Sequence, residues 1–287
     1  MMVIPMTKIT AEMIKELRER TNVAMGKCKD ALEKAHGDME QAIDILRKSG
    51  FASAVKKEGR ETNEGAIGSG EASDTYSIIE VNAETDFVAQ NEKFRRFLQE
   101  ICLEAAETKP HSLEAFLRQP VRKDPSMTID QYRALIVQTL GENIQIKRLI
   151  LLPKLKDHSL GIYSHMGGKL LCAVEIGGDS HVATLARDIA MHIAAEAPEY
   201  IKPDEVPSAV LRREEDIAKA QIHGKPENMI AKIVEGKMRA FYDQVCLLHQ
   251  KYVKDNSMTV AELLDKESNR MGKKLTLIRF LRWRVGS

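Results

Sequence analysis

Two stretches of this 287-residue chain share one order, an apolar strand-like run followed by an amphipathic helical stripe. No other feature restricts the fold as much. In the first, Tyr76-Ser77-Ile78-Ile79-Glu80-Val81 reads as a strand, and after a turn-like stretch Phe94, Phe97, Leu98, Ile101 and Ala105 recur at helical spacing. The second begins about 96 residues downstream of Gly65. There Gly161-Ile162-Tyr163 and Lys169 to Ile176 resemble a hairpin, Gly177-Gly178-Asp179 turns, and Val182, Leu185, Ile189, Ile193 and Ala194 stripe a helix. Two such units predict a duplicated core, with chance similarity of two sheet-and-helix segments as the alternative.

The flanking segments are helical. Thr10 is placed to cap a first helix that runs to about Arg20, with Ile9 and Ile14 as a hydrophobic staple. Cys28, Ala31, Leu32 and Ala35 keep helical spacing until His36-Gly37, and Asp38 with Gln41 signals a capping box for a third helix that Gly50 is expected to stop. Three helices in so few residues make a marginal core, which suggests an appended docking module. Ala54 to Gly70 reads as a linker or an exposed hairpin edge. A Pro-punctuated loop follows the first stripe, and then Ile129 to Leu140 reads as a helix and Ile144 to Leu152 as a strand. Between Pro207 and Leu248 a helical hairpin is interrupted only by His223-Gly224-Lys225-Pro226, and its highly charged first arm, Arg212 to Ala220, predicts that it projects. Thr259 caps a helix through Leu264, and Leu275 to Val285 reads as a last strand.

Composition removes several classes of function. Lys and Arg total 43 against 42 Asp and Glu, so a protein that lives mainly on nucleic-acid phosphates is disfavoured. Cys28, Cys102, Cys172 and Cys246 are scattered without metal-ligand spacing and read as reduced core thiols. The start, Met1 to Ile9, lacks the apolar run of a signal peptide, and no stretch approaches the ~18 apolar residues of a membrane span, so a cytoplasmic location is expected. Gly167-Gly168-Lys169 lacks the upstream glycine of a phosphate loop, and neither a nucleophile elbow nor a zinc-protease helix is present. His181 and His192, eleven apart, would share a helical face but read as structural histidines. No catalytic group, cofactor or metal site is expected.

The most informative segment is Glu80-Val81-Asn82-Ala83-Glu84-Thr85-Asp86-Phe87-Val88, which sets an acid and a large aromatic between a strand and the next buried stripe. Two readings stand. Phe87 lies outside the core-facing run and forms an exposed anchor for a partner, or Thr85 or Asp86 caps a helix and Phe87 packs inward. Periodicity alone favours the second.

The run from Glu80 to Ala89 closely resembles the T-D-F-V signature of bacterial elongation factor Ts. Leu17-Arg18-Glu19-Arg20-Thr21 followed by Cys28-Lys29-Asp30-Ala31-Leu32 is similar to that family's N-terminal signature. Glu142-Asn143-Ile144, Met191-His192-Ile193-Ala194-Ala195, Ile201-Lys202-Pro203, Gly224-Lys225-Pro226 and Ile233-Val234-Glu235-Gly236-Lys237-Met238 extend the likeness through the chain. The resemblance implies a guanine-nucleotide exchange factor for elongation factor Tu, not an enzyme, acting in translation elongation. It implies an α+β fold with a three-helix module like a ubiquitin-associated domain at 1–56 and core subdomains at 57–153 and 154–287. A projecting hairpin at about 207–248 and a C-terminal module at about 258–287 complete that picture. By the same resemblance Asp86 and Phe87, framed by Thr85 and Val88, reach the partner's GTPase domain and help dislodge its magnesium ion. Arg18 and Met25 in the N-terminal module, and His165 in the core, match partner contacts. Ala83 stands where the family often has Cys, Asn22-Val23-Ala24 replaces a glycine-rich turn, and Gly26 replaces a frequent Met. The basic end from Arg270 to Arg284 reads as a solvated edge, with an RNA or ribosome contact disfavoured. Neither DNA nor membrane is an expected partner. The alternative function is an adaptor acting through the N-terminal helices alone.

Overall fold

The computed structural model describes residues 9–21, 23–222 and 226–287, without the side chains of 51, 227 and 228. The expectations for the chain start at 1–8, for Asn22 and for the His223-Gly224-Lys225 break lie outside the described residues. Contacts group the chain into two units, Met1–Pro153 with Gly167–Lys169 and Val285–Ser287, and Lys154–Met166 with Leu170–Arg284.

In the first unit, Thr10 accepts the Met13 N–H at 3.2 Å and starts α1 (Ala11–Thr21). Helix α2 (Met25–Lys34) ends where His36 and Gly37 take φ of 50° and 89°. Asp38 then caps α3 (Met39–Lys57) by accepting the Gln41 N–H at 2.8 Å. Leu17, Cys28, Leu32, Ala42 and Leu46 close a small core between the three helices. A sheet follows, built from β1 (Glu64–Glu71) and β2 (Thr75–Ala83). Next come α4 (Asp86–Gln90), α5 (Glu92–Thr108) and α6 (Leu113–Arg118). A short hairpin of β3 (Pro120–Val121) and β4 (Asp124–Thr128), then α7 (Ile129–Leu140) and β5 (Ile144–Pro153), complete the unit. The sheet order is β1-β2-β5, antiparallel throughout. Phe94, Phe97, Leu98, Ile101 and Ala105 of α5 are buried, as their spacing predicts.

Gly50 does not stop the third helix. It is a buried interior residue of α3 that lets this helix approach α7, since a Cβ there would stand 3.1 Å from Gln138 Oε1 and 3.3 Å from Leu135 Cδ2. The stretch read as linker or hairpin edge divides in two. Ala54 belongs to the same buried cluster as Phe94, and Glu64–Glu71 is an edge strand.

The second unit runs through β6 (His158–His165), β7 (Leu170–Gly177) and α8 (Ala183–Glu196). The helical hairpin is α9 (Ser208–Ala220) and α10 (Glu227–Val245), with Val206, Val245 and Cys246 packed against Val210, Leu211, Phe241 and Tyr242 at its base. A hairpin of β8 (Lys251–Tyr252) and β9 (Asp255–Thr259), then α11 (Val260–Met271) and β10 (Thr276–Arg284), follow. Helix α11 extends beyond the expected Leu264 to the left-handed Gly272. Its sheet order, β10-β7-β6, repeats that of the first unit.

The repeat is closer than the sequence reading supposed, and its register differs. Gly68 faces α5, where a Cβ would lie 2.8 Å from Leu98 Cγ, and Gly161 faces α8, where it would lie 2.0 Å from the Arg187 backbone nitrogen. These two glycines correspond, rather than Gly65 and Gly161. Buried Glu80 pairs with Arg148 at 2.6 Å, and buried Glu175 pairs with Arg279 at 2.5 Å, each across two strands at a register shift. The clearest match lies in two short hairpins. Lys123-Asp124-Pro125-Ser126-Met127-Thr128-Ile129 and Lys254-Asp255-Asn256-Ser257-Met258-Thr259-Val260 differ at only two positions. Each forms a hairpin that ends in a capping box, Thr128 with Gln131 and Thr259 with Glu262.

Candidate functional site

The segment after β2 decides where Phe87 points. Thr85 keeps extended backbone, φ −126° and ψ 158°, and its Oγ1 accepts the Val88 N–H at 3.3 Å, so the helix begins one residue later. Five residues on, Asn91 leaves the helical region and its side chain accepts the Lys93 N–H at 2.9 Å to start α5. Helix α4 is therefore an independent turn, and it buries Val88 and Ala89 while Asp86 and Phe87 face outward. Phe87 is 83% exposed. The capping half of the inward-packing reading holds, but the packing half fails, because the break at Asn91 takes Phe87 out of step with the stripe that begins at Phe94. An exposed ring forgoes roughly 1.5–3 kcal/mol of burial. The Asp86 carboxylate makes no hydrogen bond or ion pair among the described residues.

Two carboxylates hold this turn from below. Glu142 Oε2 accepts the Thr85 N–H at 3.0 Å, and its Oε1 accepts the Thr85 hydroxyl at 2.6 Å. Glu84 Oε1 accepts the Asn143 N–H at 2.6 Å and lies 3.3 Å from Arg60 Nη1. Each acid thus binds the backbone of the residue that follows the other. Asn143 is fully buried, and its amide donates to the backbone oxygens of Arg60 at 2.8 Å and Glu58 at 3.3 Å. Gly141, with φ 86°, ends α7 in the left-handed region and turns the chain toward this contact. Lys57 has its pKa lowered, chiefly by burial and then by the nearby cations Arg60 and Lys27, against the opposing pull of Glu84 and Glu142. Sequence reasoning gave Glu84 and Glu142 no role. A glycine-terminated helix followed by an acid was the local signal, but its partner lies in a distant segment.

The other candidate residues are all at the surface. Arg18 is exposed on α1 beside buried Leu17, and Met25, the first residue of α2, is 55% exposed. In the second unit His165 ends β6, with its ring stacked on Tyr163 at 5.8 Å and Nδ1 3.0 Å from the Tyr163 hydroxyl. Met166, 74% exposed, follows it and was not singled out from the sequence. The structure gathers Thr85 to Val88 into one turn and leaves Arg18, Met25 and His165 on other elements.

The remaining chemistry is structural. His181 is not on a helical face with His192, because it precedes α8 in the turn, and its side chain is exposed beside Asp179. His192 is buried. Its Nε2 contacts Gln250 Oε1 at 3.0 Å and its Nδ1 accepts the Val253 N–H at 3.2 Å, which fixes the neutral tautomer. All four cysteines are buried and free, and burial pushes the thiols up, Cys246 to about 11 and Cys172 to about 12, far from thiolate chemistry at neutral pH. A crevice of about 630 Å³ in the first unit has Ile43, Leu46, Met127 and Leu135 among its lining. Three ion pairs border it, Arg20 with Glu40 at 2.5 Å, Arg47 with Asp124 at 3.0 Å and Arg96 with Glu100 at 3.1 Å. Among the described residues no cluster of His, Cys, Asp or Glu is arranged to hold a metal ion, and no helix is long and apolar enough to cross a membrane.

A family model described as elongation factor TS matches residues 84–287. Elongation factor Ts of Protochlamydia amoebophila (strain UWE25) is 58% identical over 281 residues, covering 98% of this chain and 100% of that protein. Elongation factor Ts of Chlamydia muridarum and of Chlamydia caviae are each 40% identical over 282 residues, with 98% of this chain and 100% of each relative covered.

Proposed function

The chain belongs to the elongation factor Ts family, and from that premise we propose that it promotes nucleotide exchange on elongation factor Tu during translation elongation. Its place of action is the cytoplasm, where elongation runs. The observation that carries the mechanism is Phe87, 83% exposed at the tip of a capped and anchored turn. Here Phe87 enters the GTPase as a wedge, Asp86 brings a carboxylate toward the magnesium and phosphate site, and Thr85 and Val88 hold the turn.

Magnesium bridges nucleotide phosphates and protein oxygens, so displacing its ligands weakens nucleotide binding, about tenfold for each ~1.4 kcal/mol removed. No covalent step and no catalytic group are needed. Linkage is reciprocal, so bound GDP weakens the factor by the ratio in which the factor weakens GDP, and fresh nucleotide releases it. In this scheme residues 1–56, with Arg18 and Met25, dock first, 57–153 carries the wedge, and 154–287 supplies His165, the hairpin at 207–248 and the C-terminal module at 258–287. An adaptor working through the N-terminal helices alone fits less well, because α3 reaches Ala54 in the buried cluster of Phe94.

Release of fluorescent GDP from purified elongation factor Tu tests the proposal. Catalytic amounts of the chain are expected to accelerate release, and no acceleration refutes it.

A further inference from the structure

We propose that Glu142 is a positioning residue for nucleotide release, aiming Phe87 and Asp86 through its two hydrogen bonds to Thr85. The inference rests on the exchange-factor reading above and concerns how the wedge is held before a partner arrives.

Helix α4 has five residues, too few to keep a fixed direction by its own backbone bonds. Its direction is set at its ends. At the start, one Thr85 oxygen does two jobs, accepting the Val88 N–H at 3.3 Å and donating its proton to Glu142 Oε1 at 2.6 Å. The cap and the clasp therefore share an atom. The second Glu142 oxygen takes the Thr85 N–H at 3.0 Å, so both hydrogen-bond donors of the residue before Asp86 are committed to one carboxylate. Glu142 is itself held, because its neighbour Asn143 gives its N–H to Glu84 and is fully buried. Hydrogen bonds to a charged acceptor are the stronger kind. A wedge fixed in advance loses little freedom on entry, so the clasp favours the step in which the metal site is disturbed, while docking depends on surfaces elsewhere.

The full-length chain is compared with Glu142→Ala, Glu142→Asp, Thr85→Val and Thr85→Ser. In the isolated protein, amide hydrogen exchange at Thr85 and Val88 is expected to quicken at least about tenfold in Glu142→Ala and Thr85→Val, while Ile101 in α5 stays protected. Thr85→Ser, which keeps the hydroxyl, restores protection, and Glu142→Asp, one methylene short, does not. With elongation factor Tu carrying fluorescent GDP, the maximal release rate is expected to fall at least about tenfold in the variants that lose protection, with the half-saturating factor concentration within about twofold of the parent. Unchanged exchange at Thr85 in Glu142→Ala overturns the inference. So does a normal maximal rate in that variant when Phe87→Ala is impaired, or a loss of protection that spreads to Ile101. A parent chain that fails to release GDP overturns the exchange reading instead, and the clasp is then judged by the Thr85 amide alone.

Discussion

Replacing Phe87 by alanine separates a residue that serves the fold from one that serves a partner. Full burial of a phenylalanine contributes about 1.5–3 kcal/mol. With 83% of its surface exposed, Phe87 draws on about a sixth of that, about 0.3–0.5 kcal/mol. Alanine regains part of this by its better helix propensity. At about 2–4 °C per kcal/mol, the melting temperature should move by no more than about 2 °C. Phe94, with no exposed surface, is the matched control, since its truncation leaves a cavity that costs about 3–5 kcal/mol and lowers the melting temperature by about 6–20 °C. In a complex that covers the exposed five-sixths of Phe87, the ring supplies about 1.2–2.5 kcal/mol, so Phe87→Ala should slow GDP release by roughly 8–70-fold in kcat/KM. Circular dichroism melts and stopped-flow release of fluorescent GDP are the assays. A melting loss as large as that of Phe94→Ala, or unimpaired release, would refute the reasoning.

Three further predictions concern the scaffold. Buried His192 has its pKa lowered below 6.5, chiefly by burial. A lowered folded value means that the unfolded chain takes up the proton first, so its contribution is complete above about pH 6.5 and is lost as pH falls below it. Urea unfolding at pH 7.5 and 5.5 should show a drop that His192→Asn reduces, and equal drops in both would contradict this. Asp179 is held at about 2 by its hydrogen bond to Lys273 and by the His181 N–H. Its contribution is present above about pH 4 and disappears toward pH 2, so Lys273→Met should shift acid unfolding to higher pH, as followed by intrinsic fluorescence. A Cβ at Gly161 would meet backbone at 2.0 Å, whereas at Gly68 it would meet the Leu98 side chain at 2.8 Å. Gly161→Ala should therefore cost at least about 3 kcal/mol and Gly68→Ala about 1–3 kcal/mol in denaturant titrations, and the reverse order would contradict the packing described.

Elements whose signals are local were legible. Thr128 with Gln131 and the terminal Gly141 bracket α7 at the residues its periodicity predicts. Gly50 misled, because a glycine that ends a helix and one that admits a neighbouring helix are the same letter, and the partner, Gln138, is 88 positions away. Phe87 was misjudged by periodicity because the change of phase rests on one asparagine, and only the family resemblance favoured exposure. The clasp could not be read, since Thr85 and Glu142 are 57 residues apart in sequence. The duplication was legible but blurred. Glu80 and Glu175 are 95 residues apart, whereas Asp124 and Asp255 are 131 apart, because the hairpin of α9 and α10 lengthens the second unit between them. A search at one fixed period misses the second, stronger match.

Exchange as proposed requires the Phe87 ring to enter the metal and phosphate site of its partner. Photo-crosslinking from p-benzoylphenylalanine at position 87 probes that directly, with the crosslinked peptide identified by mass spectrometry. The predicted result is a crosslink to the phosphate-binding or magnesium-binding segments of nucleotide-free elongation factor Tu that excess GDP abolishes. A stable complex whose only crosslinks fall within the chain itself, or far from the nucleotide, would contradict it.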